Sequence, residues 1–192
     1  MKVLEWPRRL LTLEDWAELP ETSEFHIEVL EGVLSVAPRP PVLHQRVAVR
    51  LAYLLDRQSP DEWAAFHGVE MLVSAVPLTV RVPDVLVVPA AVIQDNLARF
   101  DAADVLLVIE VLSEGTKRTD RVTKLFEYAE AGIEHYWIVD LDPPVRLITY
   151  RLVDGEYHAS SGPSYRTSRS GVSGWPAATT SSSSSSRPLR RG

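Results

Sequence analysis

Alternating hydrophobic and polar positions predict β-hairpins at two places in the chain. Residues 25–38 alternate roughly around a Glu-Gly turn, and residues 145–159 alternate around an Asp-Gly turn. Both turns are of the short kind that joins antiparallel strands. Two further runs, 66–74 and 78–88, are rich in apolar and β-branched residues and predict strands. The two strand runs therefore lie between the predicted hairpins.

A hydrophobic period near 3.6 predicts three helices. A short one covers residues 11–19 with Thr12 as its N-cap, a long one covers residues 42–58, and a third covers residues 120–132 and ends at Gly132. The apolar residues that share a face, and are therefore predicted to be buried, are Val42, Val49, Tyr53 and Leu54 in the long helix, with Leu51 and Leu55 near that face, and Val122, Leu125, Phe126, Ala129 and Ile133 in the third.

Two segments are apolar almost without interruption. Residues 104–112 and 135–142 have the pattern of strands that are covered on both faces. The predicted helix 120–132 lies between them, so the three elements form a strand–helix–strand unit with a right-handed crossover. The order of hairpin, helix, three strands, helix, strand and hairpin predicts an α/β (α+β) fold with a mixed sheet flanked by helices.

The composition changes abruptly near the C-terminal end. Residues 1–158 carry 15 Lys and Arg against 26 Asp and Glu, whereas residues 159–192 carry five arginines and no acidic residue. The last 33 residues contain 12 serines, and such a segment cannot bury enough apolar surface to offset the entropy of ordering it. We therefore expect one folded domain over residues 1–159 and a disordered Ser/Arg-rich tail over residues 160–192.

Composition excludes several classes of protein. The chain has no cysteine, so it can form neither a disulfide nor a thiolate-bound metal site. No apolar stretch approaches the ~20 residues of a membrane span, and the first residues lack the apolar core of a secretory signal. We expect a cytoplasmic protein that does not enter a membrane. The acidic folded part also argues against tight nonspecific DNA binding, which depends on Lys and Arg contacts to phosphates.

Two carboxylates interrupt apolar segments in a way that suggests chemistry. Asp84 lies inside the run VRVPDVLVV and Glu110 near the end of DVLLVIEVLS, and Lys124 follows 14 residues later. Buried carboxylates need compensation, and a divalent cation supplies it when two of them converge. The alternative is structural: Asp84 ends a strand, Glu110 pairs with an arginine, and Lys124 is a solvated helix residue. By the predicted helix phase, Lys124 lies roughly 160–180° from the centre of the buried stripe.

The order of several residues along the chain carries a resemblance to a known family. The residues are Glu28 in IEVLEG, His44 after a proline-rich turn, Asp84 after Pro83, Glu110 in EVLS, and Lys124 and Tyr128 in KLFEYAEAGI, followed by EHYWIVD. Together they resemble the Uma-type restriction endonucleases, a group within the PD-(D/E)XK nuclease-like superfamily. The resemblance covers about residues 10–158.

This resemblance implies a restriction-endonuclease-like core of helix, three strands, helix and strand, with an N-terminal hairpin. It implies a metal-dependent DNA endonuclease in which Asp84 and Glu110 bind Mg²⁺ or Mn²⁺. The superfamily's lysine would stand two residues after the acid, where this chain has Leu112, so Lys124 on the following helix takes its place. Glu28 is implied as a further catalytic carboxylate, and His44 and Tyr128 as accessory residues.

A second class of function stays open at this point. The acidic charge and the displaced lysine favour a catalytically inactive nuclease-fold module that binds nucleic acid or a protein partner. A hydrolase of another class has less support, because the chain has no G-x-S-x-G elbow and no glycine loop that cradles phosphate. If the protein cuts both strands of DNA, two active sites are needed, which suggests a homodimer.

Overall fold

The structure is a computed structural model that describes residues 9–20, 24–95 and 97–160. Three helices are found in these ranges: α1 (Leu13–Ala17), α2 (Val42–Gln58) and α3 (Lys124–Glu130), the last continuing directly from a π-helical turn at Thr119–Thr123. Thr12 caps α1 as predicted, since its side chain accepts a hydrogen bond from the backbone of Asp15. No helix in these ranges has the length and apolarity needed to cross a membrane.

Eleven strands are found in the same ranges. They are β1 (Phe25–Leu30), β2 (Val33–Pro38), β3 (Trp63–His67), β4 (Met71–Ala75), β5 (Leu78–Arg81), β6 (Val85–Pro89), β7 (Phe100–Asp101), β8 (Leu107–Val111), β9 (His135–Asp140), β10 (Arg146–Val153) and β11 (Glu156–Ala159). Both predicted hairpins are confirmed as β1–β2 and β10–β11. The predicted tail, residues 160–192, lies outside the described residues except for Ser160.

A six-stranded sheet with the order β11-β10-β9-β8-β6-β3 forms the centre of the protein. Within it, β8 and β9 are parallel and α3 connects them, which confirms the predicted strand–helix–strand unit. The strands β3, β6, β8 and β9 of this sheet, together with α2 and α3, occur along the chain in the order helix, three strands, helix and strand, with β4, β5 and β7 of the other sheet between them. The mixed α/β fold predicted from the sequence is therefore confirmed.

A second, five-stranded sheet with the order β2-β1-β5-β4-β7 was not predicted. It arises because each of the two β runs predicted as one strand is broken into two. The first break is at Gly68, whose φ is +63°, and the second is at Pro83, which has no backbone N–H to donate to a ladder. Each break carries the chain from one sheet to the other, and Asp84 lies in the second crossing.

The buried face of α2 differs from the prediction. The helix buries His44, Ala48 and Ala52, whereas Val42, which was predicted to be buried, is 86% exposed. The two alanines pack with the valines of β6 and the apolar residues of β8. Small side chains let the helix lie close to the sheet, so the face with the alanines packs inward, with Leu51 and Leu55 partly buried beside them.

The buried face of α3 also differs in part from the prediction. Phe126 is 62% exposed, whereas Lys124 is only 4% exposed and Tyr128 is fully buried. Ile133, by contrast, lies in the core as predicted, and Gly132 has the positive φ of a residue that ends a helix. The polar side of this helix faces inward because the sheet carries a buried carboxylate there, Glu110, that needs hydrogen-bond donors.

Candidate active site

Asp84 is held by the neighbouring strand at the point where the chain passes between the two sheets. Its Oδ2 accepts a hydrogen bond of 2.7 Å from the backbone N–H of Val111, at the end of β8. The antiparallel pairing of β6 with β8, with Val85 opposite Ile109, places Asp84 and Glu110 at the same edge of the six-stranded sheet. The structure therefore brings the two predicted metal-binding carboxylates to one region.

Glu110 is buried and has two hydrogen-bond donors from α3. Its Oε1 accepts from Lys124 Nζ at 2.9 Å and from the Tyr128 hydroxyl at 2.9 Å. Burial is the largest influence on this carboxyl group and raises its pKa to about 8, against the opposing charge of Lys124. Two details of the structural alternative differ from the structure: Glu110 pairs with a lysine rather than an arginine, and Lys124 is buried rather than solvated.

Lys124 lies among three carboxylates. Besides Glu110, its Nζ is 3.3 Å from Glu28 Oε1 and 3.4 Å from Asp120 Oδ1. Burial alone lowers the pKa of the ammonium group, but the three carboxylates raise it well above its usual value. Lys124 is therefore a charged residue held inside the protein by negative neighbours.

Glu28 connects Lys124 to a second buried cation, Arg81. Arg81 donates to Glu28 at 2.9 Å and to both carboxylate oxygens of Glu127 on α3, at 2.8 and 2.6 Å. Burial raises the pKa of Glu28, but Lys124, His26, Arg81 and the backbone N–H of Val82 together lower it below its usual range. Glu28 is thus a buried, ionised strand residue fixed between two cations.

His44 contacts Asp84 from the buried face of α2. Its Nε2 lies 2.6 Å from the carbonyl oxygen of Val111 and 3.2 Å from Asp84 Oδ2. Both neighbours are acceptors, so Nε2 carries the hydrogen and donates it. Burial opposes a charge on the ring, but the hydrogen bond to Asp84 and the charge of Asp84 outweigh it and raise the pKa of His44.

Sequence reasoning missed Arg81, Asp120 and Glu127. Asp120 is buried in the π-helical turn, its Oδ1 has no hydrogen-bond partner, and burial raises its pKa. The spacing of four residues between Asp120 and Lys124 is a signal that could have identified this pair. Arg81 and Glu127 are 46 residues apart, and no local pattern connects them.

The residues present are chemically suited to a hard divalent cation. Asp84 and Glu110 supply carboxylate oxygens, and the carbonyl oxygen of Val111 lies beside Asp84. In the described part of the chain, no group of three or more His, Asp or Glu side chains forms a complete metal site. Mg²⁺ does not need one, since it commonly binds through one or two carboxylates together with waters and substrate phosphates. The donor set therefore fits such an ion.

A cleft of about 520 Å³ opens beside Asp84. It is lined by residues from both sheets and from the start of α2, among them Trp16, Phe25, His26, Arg39, Gln45 and His67. Its walls combine aromatic surface with polar groups, a mixture that suits a ligand with both rings and charges. Asp84 is one of the lining residues, so a ligand in this cleft contacts that carboxylate, whereas the buried Glu110 does not line the cleft.

Comparison with known proteins assigns the chain to a family. The model of the Uma2 family, described as "Putative restriction endonuclease", matches residues 13–177. The chain belongs to this family. Its structure is similar to the crystal structure of a protein described as "a putative nuclease belonging to DUF820" from Anabaena variabilis ATCC 29413. The TM-score is 0.64 at 22% identity, over 80% of this chain and 86% of the other. No curated protein matches the chain.

These comparisons confirm the Uma2 family and the nuclease-like fold predicted from the sequence. The roles assigned to individual residues stay predictions. Within the Uma2 chain described here, four of the six predicted residues (Glu28, Glu110, Lys124 and Tyr128) are linked by direct contacts, and His44 contacts Asp84.

Proposed function

We propose that this protein is a metal-dependent DNA endonuclease that hydrolyses phosphodiester bonds by means of a metal-activated water. The observation that carries the proposal is the buried ammonium group of Lys124, bound to Glu110 at the sheet edge where Asp84 also lies. Charged groups with strongly shifted pKa values beside a cleft are typical of catalytic sites. Membership of a family described as restriction endonucleases supports the class of reaction.

In this proposal, Asp84 and Glu110 hold Mg²⁺ or Mn²⁺. A bound divalent cation supplies Lewis-acid activation of a water and neutralises charge on the phosphate. His44 holds Asp84 and the carbonyl of Val111 in place from the side of α2. Because these groups belong to rigid strands and a packed helix, the donor oxygens keep their positions before a ligand arrives.

Lys124 has the role of stabilising the negative charge that develops on the phosphate. Its ammonium group is positioned by Glu28 and Glu110, and Tyr128 shares the oxygen of Glu110 that Lys124 binds. Arg81 acts on Lys124 through Glu28, so it is a positioning residue. Preorganised charges of this kind in a buried site are worth more than in water and need no rearrangement during the reaction.

The remaining proposals concern substrate, assembly and location. DNA is the proposed substrate, and a homodimer is proposed because cutting both strands requires two active sites. A cytoplasmic location is proposed from the absence of cysteine.

A second candidate function is a nuclease-fold module without turnover. One observation favours it: Oε1 of Glu110, which a metal needs to share, is bound by both Lys124 and Tyr128. Such a module binds nucleic acid or a protein without holding a divalent cation.

Calorimetric titration with Mn²⁺ and a nicking assay on supercoiled plasmid test the proposal together. The parent protein is expected to bind Mn²⁺ and to nick DNA, whereas Asp84→Asn and Glu110→Gln lower the nicking rate by about 100-fold or more. Glu114→Gln is the matched control, because its carboxylate is exposed and contacts only Lys117. A parent protein that neither binds Mn²⁺ nor nicks DNA contradicts the endonuclease proposal and supports the second candidate.

A further inference from the structure

The cations of this acidic protein are unevenly distributed between paired and unpaired positions. In the described ranges, seven Lys and Arg residues lie within 4.0 Å of a carboxylate: Arg9, Arg81, Arg99, Lys117, Arg121, Lys124 and Arg151. The six in those ranges without such a partner are Arg39, Arg46, Arg50, Arg57, Arg118 and Arg146. Four of these six belong to one stretch of 19 residues, from Arg39 to Arg57.

Three of the four unpaired arginines form a narrow stripe on α2. At 100° per residue, Arg46, Arg50 and Arg57 fall within an arc of about 40°, on the side of the helix opposite the buried His44, Ala48 and Ala52. All three are exposed. From Arg46 to Arg57 the stripe is about 16 Å long, at a rise of 1.5 Å per residue.

The fourth unpaired arginine, Arg39, lies in the cleft beside the candidate active site. Arg39, which is exposed just before α2, lines the cleft that also contains Asp84. His44 contacts Asp84 from the opposite, buried face of the same helix. Arg39 is therefore the link between the cleft and the outer face of α2, where the other three arginines lie beside exposed apolar side chains such as Val42 and Leu43.

The cationic face of α2 belongs to a domain that is otherwise acidic. Residues 1–158 hold 26 acidic residues against 15 basic ones, so a polyanion is repelled from most of the domain. Arginine binds phosphate through paired hydrogen bonds, and a guanidinium without a carboxylate partner has those donors available. A strip of about 16 Å matches roughly five phosphates along one strand, at 3.4 Å of axis per phosphate.

We propose that the outer face of α2, with Arg39, Arg46, Arg50 and Arg57, binds the phosphate backbone of the nucleic-acid substrate and leads it to Asp84. This rests on the proposed nuclease function and adds where the substrate lies. Tyr53 is exposed on the same side of the helix, and an aromatic ring beside phosphate-binding arginines can stack on a base.

Fluorescence anisotropy with labelled 30-nucleotide DNA, single- and double-stranded, tests the surface in EDTA at several KCl concentrations. Arg46→Gln/Arg50→Gln is expected to bind at least 10-fold more weakly than the parent at 100 mM KCl. The slope of log affinity against log salt should fall by about 1.4–1.8, since each phosphate contact contributes about 0.7–0.9. The matched control is Arg146→Gln/Arg151→Gln, which removes the same charge from exposed positions on β10 and should keep the parent slope.

The outcomes separate this inference from the endonuclease proposal. If Asp84→Asn binds DNA through the α2 arginines but the parent never cuts, the surface is supported and the endonuclease proposal fails. If the parent cuts and Arg46→Gln/Arg50→Gln binds with the parent's affinity and slope, the surface is overturned and the endonuclease proposal stands. The proposed DNA-binding surface is also overturned if both double variants lose the same amount of DNA affinity, or if the parent binds no DNA at 50 mM KCl. An α2 variant that changes a dimer into a monomer without loss of DNA binding overturns it as well, since the face then joins two copies.

Discussion

Lys124 is the residue on which three buried carboxylates depend for compensation. A buried group of charges like this one does not simply stabilise the protein, because removing each charge from water on folding costs free energy. Its members are nevertheless strongly dependent on one another, since the loss of Lys124 leaves Glu110 and Asp120 buried without a cation, while Glu28 keeps Arg81. In this protein Glu28, Glu110 and Asp120 all lie within 3.4 Å of the same ammonium group.

Lys124→Met is therefore expected to lower the free energy of unfolding by about 3–5 kcal/mol, the usual cost of breaking a buried ion pair from one side. Urea denaturation followed by circular dichroism measures it. Lys117→Met is the control, because Lys117 makes only exposed ion pairs and should lose less than about 1 kcal/mol. Equal losses in the two variants would show that Lys124 does not compensate the carboxylates.

Tyr128 allows a finer test, because its hydroxyl can be removed without changing its ring. Tyr128→Phe keeps the edge-to-face contact with Tyr136, whose centroid is 5.2 Å away, and deletes the hydrogen bond to Glu110. Above the pKa of Glu110 of about 8, where its carboxylate is ionised, we expect a loss of about 1.5–3 kcal/mol, against about 0.5–1.5 kcal/mol for Tyr157→Phe, whose hydroxyl donates to the neutral carbonyl of Ile133. The two unfolding curves can be compared directly, and a larger loss for Tyr157→Phe contradicts the expectation.

At the scale of elements, β-structure was easier to predict than helix orientation. The turns of β1–β2 and β10–β11 need residues that tolerate positive φ, and Gly32 and Gly155 supply them, so a local signal was enough. The inward face of α3 is decided by Glu110 on β8, which no count of apolar residues along the helix reveals. The same holds for the site, where Lys124 could be proposed from the family pattern but Arg81, which acts through Glu28 and Glu127, could not.

The orientation of α3 gives a prediction about Phe126. Because this side chain is 62% exposed, Phe126→Gln should change the free energy of unfolding by no more than about 0.5 kcal/mol, the usual range for surface positions. Ile133→Ala, at a fully buried apolar position of the same connection, should cost about 2–5 kcal/mol. Thermal unfolding of both variants measures these changes. A loss above about 2 kcal/mol for Phe126→Gln would mean that Phe126 is buried, as the apolar stripe in the sequence predicts.

At the scale of the whole molecule, the pH dependence of stability contains a contribution from His135, outside the candidate site. Its Nε2 is buried without a hydrogen-bond partner, 3.3 Å from Glu134. Burial lowers the pKa of His135, and this outweighs the opposing effect of Glu134. The folded state thus takes up a proton at lower pH than the unfolded state, so this contribution to stability is full above about pH 6.5 and is lost as the pH falls below it.

Replacing His135 should therefore make the free energy of unfolding depend less on pH. In denaturation experiments at pH 7.5, 6.0 and 5.0, His135→Gln is expected to lose less stability on acidification than the parent. His158→Gln is the control, because His158 is exposed on β11 and should leave the profile unchanged. Parallel profiles for the parent and His135→Gln would exclude a role for this histidine.

The position of Asp84 depends on how the two sheets lie relative to each other, because the chain passes from one sheet to the other at this residue. Three residues, Val82, Pro83 and Asp84, span the crossing, and they are tied at both ends. The N–H of Val82 donates to Glu28 of the five-stranded sheet, and Asp84 accepts from Val111 of the six-stranded sheet. Because both ends of this segment are held by hydrogen bonds, a displacement of one sheet relative to the other also moves Asp84, a proposed metal-binding residue. Sequence changes far from the carboxylates that alter how the sheets lie together would then change the reaction geometry while leaving every residue of the site in place.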